Sequence, residues 1–134
     1  MIGNDRIRLH DCFLEYLRSR NIPATVTDNK IMFCIDGISL MFVSDVNDYP
    51  FIKIIALDVI HVADIGSDCD QFINYMNTKF KMVKMFTLHG KVCLSIDHLV
   101  YSPVCIDKLF DRLVRTITRV ACISIFRHSA MEIM

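Results

Sequence analysis

Two dipeptides constrain the fold of this chain more than any other feature. Asp36-Gly37 and His89-Gly90 each lie between runs of apolar residues. A two-residue turn of this kind supplies the positive φ angles of a tight hairpin. Residues 31–35 are therefore expected to pair antiparallel with residues 38–43, and residues 80–88 with residues 91–97. The isoleucine-rich stretch 51–57 reads as the third strand in order. Hairpin pairing excludes a doubly wound parallel sheet, which needs long crossover connections.

Helices fill the remaining segments. Residues 5–20 carry Ile7, Phe13, Leu14 and Leu17 at helical spacing, with Arg8, Asp11, Glu15, Arg18 and Ser19 opposite. Asn21-Ile22-Pro23 stops this helix, because the residue before a proline avoids helical geometry. Residues 44–50 read as a polar loop, and 58–65 is ambiguous, open to a strand end followed by a loop or short turn. A second helix is expected over 68–79, capped by Ser67 or Asp68, with Cys69, Phe72, Ile73, Tyr75 and Met76 on a wide apolar arc. Val92, Leu94 and Ile96 alternate with Cys93, Ser95 and Asp97, which predicts one buried sheet face and one wetter face.

The last helix is expected from about Val104, with Pro103 suited to its start. Ile106, Leu109, Phe110, Leu113, Val114, Ile117, Val120 and Ala121 share an arc of about 140°. Asp107, Lys108, Asp111, Arg112, Arg115, Thr116, Thr118 and Arg119 fill the other side. After Ala121 the phase breaks, and Cys122, Ile123, Ile125 and Phe126 fall on the polar side. Either the chain changes conformation near Cys122 and folds its tail onto its own core, or a second copy covers the tail. The second is the expectation, because a two-fold contact between identical chains is common; Cys122, Ile123, Ile125 and Phe126 are the expected interface. The predicted class is α+β, in the order α-β-β-β-α-β-β-α, with an antiparallel sheet of about five strands. One domain is expected over residues 1–134, with its core in 5–121 and a tail in 122–134.

Composition narrows the function classes. The 134 residues are enough to bury about two-thirds of the surface of the unfolded chain. Fifteen basic residues balance fifteen acidic ones, so the surplus typical of nucleic-acid and membrane-surface binders is missing. A 53% hydrophobic content is high for an isolated domain and points to apolar surface covered by a partner. The longest apolar region, 51–63, is broken by Lys53, Asp58 and His61, which is too short and too polar to span a bilayer. The first eight residues are polar and mixed, unlike a secretory leader, so the cytoplasm is expected. Cys12, Cys34, Cys69, Cys93, Cys105 and Cys122 are scattered, which fits reduced packing residues better than zinc ligands or disulfides.

No reactive motif emerges. His10, His61, His89, His98 and His128 are spread along the chain, whereas a base needs a nucleophile and an orienting group beside it. Asp58, Asp64, Asp68 and Asp70 lack the spacing of a calcium loop. Cys69 opens a helix, but Asp68 and Asp70 oppose its thiolate. Lys79, Lys81, Lys84 and Lys91 with Phe80 and Phe86 invite a single-strand nucleic-acid reading. The opposite parity of Lys81 and Lys84 places them on opposite faces of a strand. Met32, Met41, Met76, Met82 and Met85 suit a core or an adaptable binding surface. The chain is expected to have no catalytic residues, cofactor or metal, and to act by binding itself and a further protein. A small-ligand or enzymatic domain with a pocket between sheet and helices is the alternative.

Three stretches carry a resemblance. They are Phe13-Leu14-Glu15-Tyr16-Leu17 with the hairpin 31–38, Ile73-Asn74-Tyr75-Met76-Asn77 leading to Lys79 and Lys84, and 90–97 followed by the terminal helix. Together, over roughly residues 10–120, they resemble the type III secretion chaperone-like fold, and within it the bacterial sensory transduction regulator family. The resemblance implies a dimer-forming, protein-binding scaffold and brings no catalytic residues. True secretion chaperones tend to be acidic, and this chain is neutral.

Overall fold

Asp36 and Gly37 take φ angles of 53° and 80°, and His89 and Gly90 take 52° and 75°. Both hairpins form on these turns. The computed structural model describes residues 8–44, 51–61, 63, 66–102 and 104–133, with side chains as far as 127. In chain order the elements are α1 (Leu9–Ser19), β1 (Thr25–Thr27), β2 (Lys30–Ile35), β3 (Ile38–Ser44), β4 (Phe51–His61), a 3-10 turn (Gly66–Asp68), α2 (Cys69–Lys79), β5 (Lys84–Leu88), β6 (Lys91–Leu99) and α3 (Ile106–Ile133). The sheet runs β1-β2-β3-β4-β6-β5, and every neighbouring pair is antiparallel. The class is α+β as expected, but the sheet has six strands and not five. The added strand is β1, which pairs with β2 across Asp28-Asn29, with Asp28 at φ 54°. Thr25-Val26-Thr27 has one apolar residue, so it lacks the pattern that marks the other strands.

One face of the sheet builds the core. Ile31 and Phe33, Leu40 and Phe42, Ile52, Ile54 and Ala56, and Leu94 and Ile96 all point to it and are buried. α1 and α3 share the layer above, and α2 covers the β5 end with Cys69, Phe72 and Met76. The ring of Phe13 is the centre of this layer. It stacks on Phe42 at 4.1 Å between centroids and 8° between planes, and meets Phe110 edge-on at 5.0 Å. Phe33 and Tyr16 flank it at 5.3 and 5.4 Å.

Element ends show what local pattern misses. α1 stops before Pro23 because Asn21 turns left-handed at φ 58°. The Ile22 amide then donates to the Leu17 carbonyl, and the Asn21 amide to that of Arg18, a Schellman closure. β4 runs past Leu57, so the stretch from Asp58 opens as a strand end. It continues to His61 through a bulge, in which Leu57, Asp58 and Val59 oppose the single residue Cys93 and Asp58 takes φ 52°. α2 begins at Cys69, and Asp68 at its N-cap makes no side-chain capping bond. β5 begins only at Lys84, after a bend at Lys81 and Met82, and α3 begins at Ile106. Ile7, the loop residues 45–50, Asp64, Ile65, Pro103 and the side chain of His128 lie outside the described residues.

The opposite sheet face is drier than the alternation predicts. Met32, Met41, Ile55, Ser95 and Lys84 stand side by side in one cross-strand row. Met32, Met41, Val43, Ile55, Leu57 and Phe86 are half-buried, and Cys93 and Ser95 are buried. Lys53 and Asp97 pair across it at 3.8 Å. The buried apolar residues of all three helices pack against the other face. Among the described residues no helix is long and apolar enough to cross a membrane.

One side chain closes the β5 edge. The Asn77 amide donates to the Met85 carbonyl at 3.0 Å, and the Met85 amide donates to Asn77 Oδ1 at 2.7 Å. Replacing Asn77 by leucine strands both backbone groups. The expected loss is about 1–3 kcal/mol of unfolding free energy by urea titration. Asn77→Asp keeps the acceptor and is expected to fall between wild type and Asn77→Leu.

Candidate interaction surfaces

The predicted interface lies at the end of α3. This helix runs unbroken for 28 residues, so the conformational change near Cys122 does not occur. The core-facing arc continues through Ser124, which is fully buried and donates its hydroxyl to the Val120 carbonyl at 2.7 Å. The four predicted residues stay on the helix and leave that arc. Phe126 is 73% exposed and Ile125 37%, Cys122 is exposed, and Ile123 is half-buried. Their spacings of three and four residues make neighbours of Cys122, Ile125 and Phe126, and of Ile123 and Phe126. Arg127 fixes this end to α2, donating to the Tyr75 hydroxyl at 2.9 Å. The helix wheel misplaced one residue. Thr118 is 6% exposed, and its hydroxyl has no partner among the described residues. The buried arc of α3 is therefore wider than its apolar one.

Upstream, α3 carries cations. Lys108, Arg112, Arg115 and Arg119 line an open groove of about 550 Å³ with Arg20 from the end of α1. Phe80, Val120 and Ile123 supply its apolar lining. Asp111 organises one end. It accepts from the Tyr16 hydroxyl at 3.0 Å and from Arg20 Nε at 3.3 Å, and it pairs with Arg115 at 2.9 Å. The Arg20 guanidinium also lies over the Tyr16 ring at 4.6 Å. Burial alone pushes the Asp111 pKa up. Hydrogen bonds from Tyr16 and Arg20, with the charges of Arg115 and Arg20, outweigh burial and hold it below the ordinary carboxylate value. Burial first, then the bond to Asp111 and its negative charge, raise the Tyr16 hydroxyl to about 12. Tyr16 thus stays a neutral donor to an ionised acceptor. The helix wheel shows the cationic stripe but not the groove, because Arg20 and Phe80 come from distant parts of the chain.

A second hollow of about 580 Å³ lies at the β5 end, lined by Lys53, Lys81, Lys84, Phe80, Phe86 and Ser95 among others. Lys81 and Lys84 line it together. They do not take opposite faces, because Lys81 precedes the strand and parity does not apply to it. The histidines stay apart. His61 Nε2 is 3.5 Å from Asp58 across the bulge, His98 Nδ1 is 2.7 Å from the Leu99 carbonyl, and His10 Nδ1 is 3.7 Å from Asp11. His89 occupies its turn. Among the described residues no three metal-ligating side chains converge. Burial raises the Cys69 and Cys12 thiols, with Asp70 adding to the first and Asp11 and Asp107 to the second. That disfavours thiolate chemistry at either.

No family model matches the chain, and no curated protein matches it. A solved structure does: the crystal structure of YbjN, a putative transcription regulator from E. coli. The TM-score is 0.64 and the identity 14%, over 91% of this chain and 92% of that one. The chain therefore has a YbjN-like fold.

The Tyr16–Asp111 pair gives stability a pH signature. A carboxyl with a depressed native pKa stabilises the fold above its unfolded value and loses that contribution as pH falls through the native value. A tyrosine with a raised native pKa contributes fully below 10 and loses it as pH rises through about 12. In urea titrations the advantage of wild type over Asp111→Asn is expected to shrink below about pH 4. Its advantage over Tyr16→Phe is expected to shrink between pH 10 and 12. Flat differences at both ends of the range would show that the pair is not coupled to folding.

Proposed function

We propose that this chain is a non-enzymatic, chaperone-like regulatory module that works by binding protein. Its first partner is a second copy of itself, joined through Cys122, Ile123, Ile125 and Phe126. The observation that carries this reading is the unbroken α3, which holds Phe126 and Ile125 out from the core. Each large apolar side chain left in water forgoes about 1.5–3 kcal/mol relative to burial. The apolar outer sheet face supports the same reading. So does the packing of Phe13, Phe42, Phe110 and Tyr16, whose rings fill the space where α1, β3 and α3 meet among the described residues. The regulatory part rests on the YbjN-like fold and on the resemblance to sensory transduction regulators. The reading places the protein in the bacterial cytoplasm and needs no cofactor, nucleic acid or membrane.

The test is Ile125→Asp combined with Phe126→Asp, followed by light scattering and circular dichroism. Wild type is expected to be a dimer at micromolar concentration, and the double variant a folded monomer. A wild type that is already monomeric overturns the dimer.

A further inference from the structure

The groove along α3 has charges that the fold does not use. Asp111 neutralises part of Arg20 and Arg115 and holds both in place. Among the described residues no carboxylate pairs with Lys108, Arg112 or Arg119, although all three line the same groove. The protein is neutral as a whole, so this concentration of charge is local. On the helix wheel Lys108, Arg112, Arg115 and Arg119 form one stripe, about 16 Å long at 1.5 Å per residue. Phe80, Val120 and Ile123 stand beside it.

We propose that this groove binds an acidic protein segment that carries an apolar anchor. Its carboxylates meet Lys108, Arg112 and Arg119, and its anchor rests on the half-buried Phe80, leaving Ile123 to the contact between copies. Guanidinium groups suit this role because they bind carboxylates through two parallel hydrogen bonds. The Asp111 contacts pre-orient Arg20 and Arg115, which lowers the entropy lost on binding. An extended segment of about five residues spans the stripe at roughly 3.3 Å per residue. Three observations favour a peptide over a nucleic acid. The lining includes aliphatic side chains, which do not stack on bases. Phe80 is packed against the core, so its ring is not a free stacking platform. The zero net charge lacks the long-range field that draws in a polyphosphate. The proposal rests on the protein-binding reading above but uses a surface upstream of the exposed Ile125 and Phe126.

The experiment is fluorescence anisotropy on the full chain with a labelled peptide of about ten residues rich in glutamate with one leucine and one phenylalanine. A control peptide has glutamine at every glutamate. A single-stranded oligodeoxynucleotide of equal charge competes in a separate arm. The acidic peptide is expected to bind, the glutamine peptide at least about tenfold more weakly, and salt to weaken the first selectively. Arg112→Glu with Arg119→Glu is expected to weaken the acidic peptide about tenfold or more. Arg112→Gln with Arg119→Gln, which removes charge without reversing it, is expected to weaken it less. Circular dichroism checks that both variants fold. Equal binding of the two peptides, unchanged binding by both folded variants, or tighter binding of the oligonucleotide than of the acidic peptide overturns the proposal. Light scattering keeps the two readings separate. The groove variants are expected to retain the wild-type mass, and Ile125→Asp with Phe126→Asp is expected to retain peptide binding.

Discussion

The parallel stack of Phe13 on Phe42 is the contact on which the rest of the structure depends. It lies where α1, β3 and α3 meet, with Phe110 closing the cluster edge-on. Offset and edge-on ring pairs contribute about 0.5–1.5 kcal/mol each beyond the area they bury, and Phe13 makes one stacked and one edge-on pair, with two tilted ring contacts besides. Its geometric role is larger than its energetic one. With Phe13 seated, Tyr16 three residues later faces α3, and its hydroxyl meets Asp111. Asp111 then gathers Arg20 and Arg115. The electrostatic arrangement of the groove is thus downstream of a purely apolar contact.

α3 serves two surfaces with one unbroken helix. A helix that stays in register with the sheet must keep its buried arc on the same side along its length. Ser124 keeps to that arc although it is polar, and satisfies itself through the Val120 carbonyl. Phe126 departs from it although it is apolar. A sequence that places a serine inward and a phenylalanine outward goes against simple burial within one chain. The conflict is resolved if the last turns of α3 have to meet something other than their own core.

Much of this was legible in the chain because the signals were local. Asp36-Gly37 and His89-Gly90 carry their turn geometry in two residues, and the apolar runs beside them define the hairpins. The phase break after Ala121 can be read on a helix wheel alone. The misses share a cause, which is that distant partners decided them. Thr25-Val26-Thr27 is a strand only because β2 lies beside it. How far the open strand end runs past Asp58 is decided by Ile60 regaining register with Val92 on β6. The dry outer face does not show along a single strand, because Cys93 and Ser95 gain their burial beside cross-strand neighbours such as Phe86 and Ile55. The groove was hidden for the same reason, since Arg20 and Asp111 are 91 residues apart.

The Asn77 clamp on Met85 makes one side-chain amide stand in for a seventh strand. A carboxamide presents the same donor and acceptor pair that a peptide unit offers along a sheet edge, but it is carried by a helix. The outermost strand is therefore closed by the position of α2. The Met85 amide sits at a sheet margin, where exchange with solvent is ordinarily fast, yet its protection depends on α2 remaining docked. Hydrogen exchange at this single amide would therefore report the undocking of a helix and not the fraying of a strand.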